Sequence, residues 1–180
     1  MTGAIFLELK KYVDSKFGGN TWTNLLASAG LAEKEYSILS EYPDGDAMAL
    51  VSAAVKATGQ SAADILEDFG AFIAPDLLDM FWGAIQPVWK TLDVIEHTEG
   101  TIHSVVRLKN PGARPPELQV TRPKTDEVII DYRSPRRLCA LARGIARGLA
   151  GHFKETVVIA EAECMHRGDA RCLISVRLAH

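Results

Sequence analysis

The sequence predicts an α+β fold: a helical N-terminal subdomain, then an antiparallel sheet with its own helices. Three observations predict it. Apolar residues recur at helical spacing through roughly the first 110 residues. The period then changes to two after the rigid "NPGARPP" of Asn110–Pro116. One further amphipathic helix pattern lies between two pairs of strand-like segments.

In the opening segment Ile5, Leu9, Tyr12 and Phe17 fall along one face, and Gly18-Gly19 ends it. Thr21 to Gly30 is a short second helix. The turn residues "EYPDGD" (Glu41–Asp46) precede a helix that starts near Asp46. It carries Met48, Val51, Ala54 and Val55 on one face and closes at Gly59. Ser61 and Asp64 resemble a capping box, with Asp replacing Glu, at the head of "SAADILEDFGAFI". "LLDMFWGAIQPVW" is rich in bulky apolar residues, and Pro87 kinks or breaks it. A longer helix, Leu92 to Lys109, carries Ile95, Ile102, Val105 and Val106 and stops before Pro111. Glu117–Val120 and Glu127–Tyr132 are strands joined by the polar "RPKTD". After Pro135, Leu138, Leu141, Ile145, Leu149 and Phe153 recur at three- and four-residue spacing. "TVVIAEAEC" and "RCLISVRLA" then form a hairpin around "MHRGDA". There are no repeats and no low-complexity segment.

With 180 residues and an apolar share of 47%, the chain can bury a real core as one domain. A net charge of −3 argues against nucleic-acid or membrane-surface partners. No apolar run approaches the ~20 residues of a bilayer span. "MTGAIFLELKKYVD" lacks the features of a signal peptide, so a cytoplasmic location is expected. Three cysteines in such a chain suit reduced thiols or metal ligation better than a disulfide framework.

Two short patterns carry chemistry. His103 lies in the helix before the proline-rich turn, with Pro111 eight residues later. A helical histidine is ordinarily a core or surface residue, but a neutral imidazole can give one nitrogen to iron or zinc. His97, His152, His166 and His180 show no recurring spacing with it. A lone histidine suits a cofactor that brings its own remaining ligands, as a porphyrin does. In "DYRSPRR", Tyr132, Ser134 and Arg136 alternate, so a strand would present a phenol, a hydroxyl and a guanidinium on one face. Pro135 interrupts that strand and moves Arg136 toward the strand-to-helix turn. The trio suits a dianion such as the two propionates of a heme.

In this order, His103, "PGARPP" (Pro111–Pro116) and "YRSPR" (Tyr132–Arg136) resemble the H-NOX family. These are heme nitric-oxide/oxygen binding domains related to the sensor domain of soluble guanylate cyclase. The resemblance spans the chain, including Phe17-Gly18, Trp22 and the "YPD" loop. It implies the H-NOX fold over residues 1–180, with residues 1 to about 62 distal and about 63–180 proximal. It implies heme b as cofactor, His103 as the proximal iron ligand and Tyr132, Ser134 and Arg136 as the propionate clamp. Pro116 matches the proline that packs against and distorts the porphyrin, and Ile5 a residue that packs near it. The implied mechanism is that NO weakens the iron–His103 bond, releases its helix and lets the subdomains shift.

Relatives that hold oxygen stably place a distal tyrosine where this chain has Leu141, nine residues after Tyr132. Leu141 offers no hydrogen bond, so binding of NO and CO with little stable oxygen is expected. Phe81 and Trp82 are further candidates for the pocket, and the Trp82 indole N–H would threaten that expectation. The resemblance implies a bacterial sensor that controls a separate histidine kinase or cyclic-di-GMP enzyme.

Cys164 and Cys172 are equidistant from Gly168 and would face each other across the hairpin, with Cys139 on the helix packed beneath. Some H-NOX proteins hold Zn2+ here through three cysteines and a further ligand. Cys139, Cys164 and Cys172 match the cysteines, and Glu161 or His166 is the fourth candidate. Free buried thiols and a Cys164–Cys172 disulfide are the other two readings. The basic run Arg133, Arg137, Arg143 and Arg147 is expected to be a solvated face, and "EAE" (Glu161–Glu163) a strand face. No phosphate loop, serine triad or carboxylate pair points to an enzyme. A zinc/thiol redox sensor on the same fold is the alternative function. A carrier of another hydrophobic anion is a third, which the intact His103 disfavours.

Overall fold

The computed structural model describes residues 1–179. Three helices open the chain: α1 (Gly3–Phe17), α2 (Thr21–Ser28) and α3 (Asp44–Thr58). Asp44 and Asp46 lie in the first turn of α3, where the helix dipole favours anions, and left-handed Gly59 ends it. Ala47, Leu50 and Val51 form its buried face, whereas Met48 turns out to solvent, against expectation.

α4 (Ala62–Met80) starts at Ser61, whose hydroxyl accepts the Asp64 N–H at 3.1 Å. Such a cap contributes about 1 kcal/mol. α4 joins "GAFI" and "LLDM" in one helix and runs through Pro75 without ending. Pro87 lies beyond it, in the irregular connection that follows the 3₁₀ turn Trp82–Ala84.

The helix expected over Leu92–Lys109 is interrupted. α5 (Thr91–His97) gives way to a π turn (Glu99–His103), and α6 (Ser104–Lys109) follows. The π register is set by the His103 N–H, which donates to the Thr98 carbonyl at 2.9 Å.

β1 (Glu117–Lys124) and β2 (Glu127–Arg133) form the first hairpin, α7 (Cys139–His152) crosses the sheet, and β3 (Val157–Glu163) and β4 (Cys172–Leu178) form the second. All four strands pair antiparallel in the order β1-β2-β4-β3, with Tyr132 opposite Cys172. β1 extends past Val120 through Pro123 because it is an edge strand, where a missing N–H breaks no ladder.

Two cores result. Phe6, Tyr12, Trp22, Leu25, Leu50, Phe69 and Ile73 fill the helical one. Val94, Ile95, Val128, Ile130, Leu149, Ile174 and Val176 fill the other, between the sheet and its helices. α4 serves both, giving Phe69 and Ile73 to the first and Ala74 and Leu78 to the second.

α4 and α7 pack at very close range. A Cβ on Gly144 would overlap the Glu67 carbonyl, and one on Gly148 would overlap that of Ala71. Ala71 is the residue whose carbonyl loses its helical donor to Pro75, four residues on.

Candidate functional site

A cavity of about 280 Å³ is lined from both cores. Ile5, Leu77, Leu78, Phe81, Val94 and Ile102 contribute to its apolar wall. Leu141, Ala142, Ile145 and Leu149 bring one face of α7 to it. Its polar side chains are His103, Tyr132, Ser134 and Arg136, with Thr2, Thr98 and Arg114. The cavity therefore brings together His103, Tyr132, Ser134, Arg136, Pro116, Ile5 and Leu141, which are far apart along the chain.

His103 ends the π turn, and its side chain is 13% exposed. Its Nδ1 lies 2.8 Å from Glu99 Oε2. Nε2 is thus the nitrogen left for a ligand. Burial pushes the imidazole below the usual histidine range, more than Glu99 pulls it up. The ring is therefore neutral at physiological pH, with a lone pair to give.

Tyr132 is buried on β2, and its hydroxyl accepts the Leu138 N–H at 3.1 Å. Burial pushes this phenol up, against the opposing pull of Ser134 and of the Leu138 N–H. β2 ends at Arg133, so Ser134 and Arg136 sit in the turn that Pro135 imposes rather than on a strand face. Ser134 Oγ accepts the Arg136 N–H at 3.2 Å, which holds that turn closed. The Arg136 guanidinium donates to Asp44 at 2.7 Å through Nε, and to the Arg114 carbonyl through Nη1. Asp44 is a partner that sequence spacing does not reveal, because it lies 92 residues away.

The donor set fits a heme: one neutral imidazole at an apolar cavity, with a phenol, a hydroxyl and a guanidinium suited to carboxylates. Phe81 lines the cavity as expected. Trp82 does not: it is 59% exposed, so its N–H gives no reason to expect an oxygen-stabilising hydrogen bond.

A second cluster lies at the hairpin end of the sheet. One ligand atom each from Cys139, Glu161, Cys164 and Cys172 fall within 4.8 Å of one another. The three cysteines are buried and free, with Cys164 and Cys172 Sγ 3.8 Å apart, so the disulfide reading is set aside. Burial pushes the Cys139 thiol far up and Cys172 up. Glu161 Oε1 is buried without a hydrogen-bond partner, an orphaned acceptor that a cation would satisfy. His166 instead places Nε2 2.7 Å from the Arg137 carbonyl, away from the sulfurs.

"EAE" lies on β3 as expected, and one surface expectation is corrected. Arg143 is no solvated face: it donates to Glu67 at 3.1 Å and to Glu161 at 2.9 Å, bridging α4, α7 and β3. Glu161 is correspondingly drawn in, with its side chain 12% exposed. Among the other histidines, His97 stacks on Trp89 and His152 packs edge-on to Phe153, while His180 lies outside the described residues.

A family model described as Haem-NO-binding matches residues 2–161. The chain is 20% identical over 163 residues to soluble guanylate cyclase gcy-31 of Caenorhabditis elegans, covering 89% of this chain and 23% of that protein. It therefore spans about a quarter of that relative's length. Among solved structures, an H-NOX protein from S. oneidensis in the Fe(II)NO ligation state superposes with a TM-score of 0.93 at 23% identity, covering 100% of both chains. The Fe(II) unliganded A71G mutant of the K. algicida H-NOX protein gives 0.90 at 21% identity, covering 100% of this chain and 97% of that one. These two likenesses show the fold.

Proposed function

The chain belongs to the Haem-NO-binding family, and from that premise we propose that it senses NO and CO at a ferrous heme b and retains oxygen poorly. The observation that carries this reading is His103, its Nδ1 2.8 Å from Glu99, on a cavity whose polar side chains suit two carboxylates. A bound heme would supply a ferrous iron able to take a diatomic gas, with His103 as its protein ligand.

The chain's own residues have the remaining tasks. His103 would hold the iron through Nε2. Tyr132, Ser134 and Arg136 would bind the propionates, with Arg136 braced by Asp44. Pro116 and Ile5 would press on the ring, and the apolar wall would exclude water. Leu141 would give the gas no hydrogen-bond donor. Any displacement of His103 would pass along α6 toward Pro116 and β1. The effector is proposed to be a histidine kinase or a cyclic-di-GMP enzyme, and the location cytoplasmic.

The test is an absorption spectrum of heme-reconstituted protein, ferrous and then with NO, CO and air. The Soret band should shift with NO and CO and show no stable change in air. His103→Gly should lose the native ferrous spectrum. Failure to retain heme would overturn the reading.

We also propose that Cys139, Cys164, Cys172 and Glu161 bind Zn2+, on the strength of the orphaned Glu161 oxygen. The same cluster supports the second reading, a zinc/thiol redox sensor. Replacing Cys139 and Cys172 should leave gas-dependent control of the effector intact on the first reading and abolish control on the second.

A further inference from the structure

We infer that Glu99 is a positioning residue for His103: its carboxylate fixes which imidazole nitrogen carries the proton, and strengthens the other as a donor. This rests on the heme reading above.

Glu99 opens the π turn and His103 closes it, so the carboxylate spans the turn. Its Oε2 accepts from two sides, His103 Nδ1 at 2.8 Å and the Leu118 N–H at 3.2 Å. Its Oε1 takes the Arg107 guanidinium at 2.6 Å. An ionised carboxylate only accepts. The proton must then sit on Nδ1, and the lone pair on Nε2. The opposite tautomer would set a nitrogen lone pair against an oxygen lone pair.

A negatively charged acceptor also raises the electron density of the ring, more than a neutral carbonyl can. With side-chain exposures of 13% for His103 and 31% for Glu99, the pair is only partly screened by solvent. Arg107 shares the negative charge, which keeps the proton on the imidazole rather than letting it pass to the carboxylate. Leu118 stands two residues beyond Pro116, so the same carboxylate ties the histidine to the segment that borders the cavity. A histidine-to-carboxylate bond of this kind governs both where the ligand nitrogen points and how firmly it holds a metal.

The experiment compares heme-loaded wild-type protein with Glu99→Gln, Glu99→Leu and Arg107→Gln. The readouts are the ferrous iron–histidine stretching frequency by resonance Raman and the rate of heme loss to apomyoglobin. Glu99→Gln keeps an acceptor without its charge, so the frequency should fall. Glu99→Leu should lower it further and speed heme loss by on the order of tenfold. Arg107→Gln leaves the carboxylate in place, so the frequency should hold or rise. Unchanged frequencies in both Glu99 variants would overturn the inference while the heme reading stands. So would an equal fall in Arg107→Gln, which would mark Glu99 as a brace for the turn. If Glu99→Leu does not fold, Glu99→Gln against Arg107→Gln decides alone. Wild-type protein that takes up no heme would overturn the heme reading and this inference with it.

Discussion

Leu141 shows what one side chain decides. It sits on α7 at the cavity wall among apolar neighbours, and no donor comes from Trp82, which faces solvent. Bound dioxygen carries partial negative charge and is held by a hydrogen bond, whereas NO and CO need one far less. Leu141→Tyr should therefore give heme-loaded protein an air-stable ferrous spectrum that the wild type lacks. An unchanged response to air would show that a phenol introduced at this position cannot reach the gas. Ile5, Pro116 and Leu141 could be named only through the family resemblance; His103, Tyr132, Ser134 and Arg136 were legible as chemical types at fixed offsets. Their partners were not. Asp44 meets Arg136 across 92 residues and Glu67 meets Arg143 across 76, contacts that only the tertiary fold creates. Glu99 stands four residues before His103, so helical spacing could have found it.

At the scale of elements, the α4–α7 contact depends on the absence of side chains. Gly144 and Gly148 let α7 rest on the carbonyls of Glu67 and Ala71. Both obstacles are backbone, so neither can swing aside. Gly144→Ala should separate the helices and cost about 1–3 kcal/mol despite the better helix propensity of alanine. Thermal unfolding of the variant measures this, and an unchanged midpoint would refute it. The strand pair β2–β4 gives a pH signature. Arg133 first, and then Arg171, hold the buried Asp131 carboxyl below the usual range against the upward push of burial. A depressed folded pKa adds stability above about pH 4, the ordinary value, and loses it as pH falls through the lower folded value. Asp131→Asn should thus be less stable than wild type at neutral pH, with the difference closing in acid. Equal urea midpoints at pH 7 would exclude this. Helices and strands were legible here from apolar period. The π turn was not, because it is defined by a backbone hydrogen bond, His103 to Thr98, that no residue type signals.

For the whole molecule, the cavity wall draws on both cores, and α4 belongs to each. Whatever fills the cavity therefore touches both at once. A ligand that binds only the folded chain stabilises it by about 2.7 kcal/mol at a hundredfold excess over its Kd. For a chain of this size, that raises the unfolding midpoint by roughly 5–11 °C. Because α4 and α7 interlock through backbone contacts, the two cores should unfold together, with and without heme. Calorimetry of apo and heme-loaded protein should each show one transition, shifted upward as a unit on loading. Two transitions, of which heme moves only the one containing the sheet, would mean that the cores are separable. A displacement at His103 could then leave the helical core in place. A single shifted transition makes the cavity the point from which a change at one histidine reaches the whole chain.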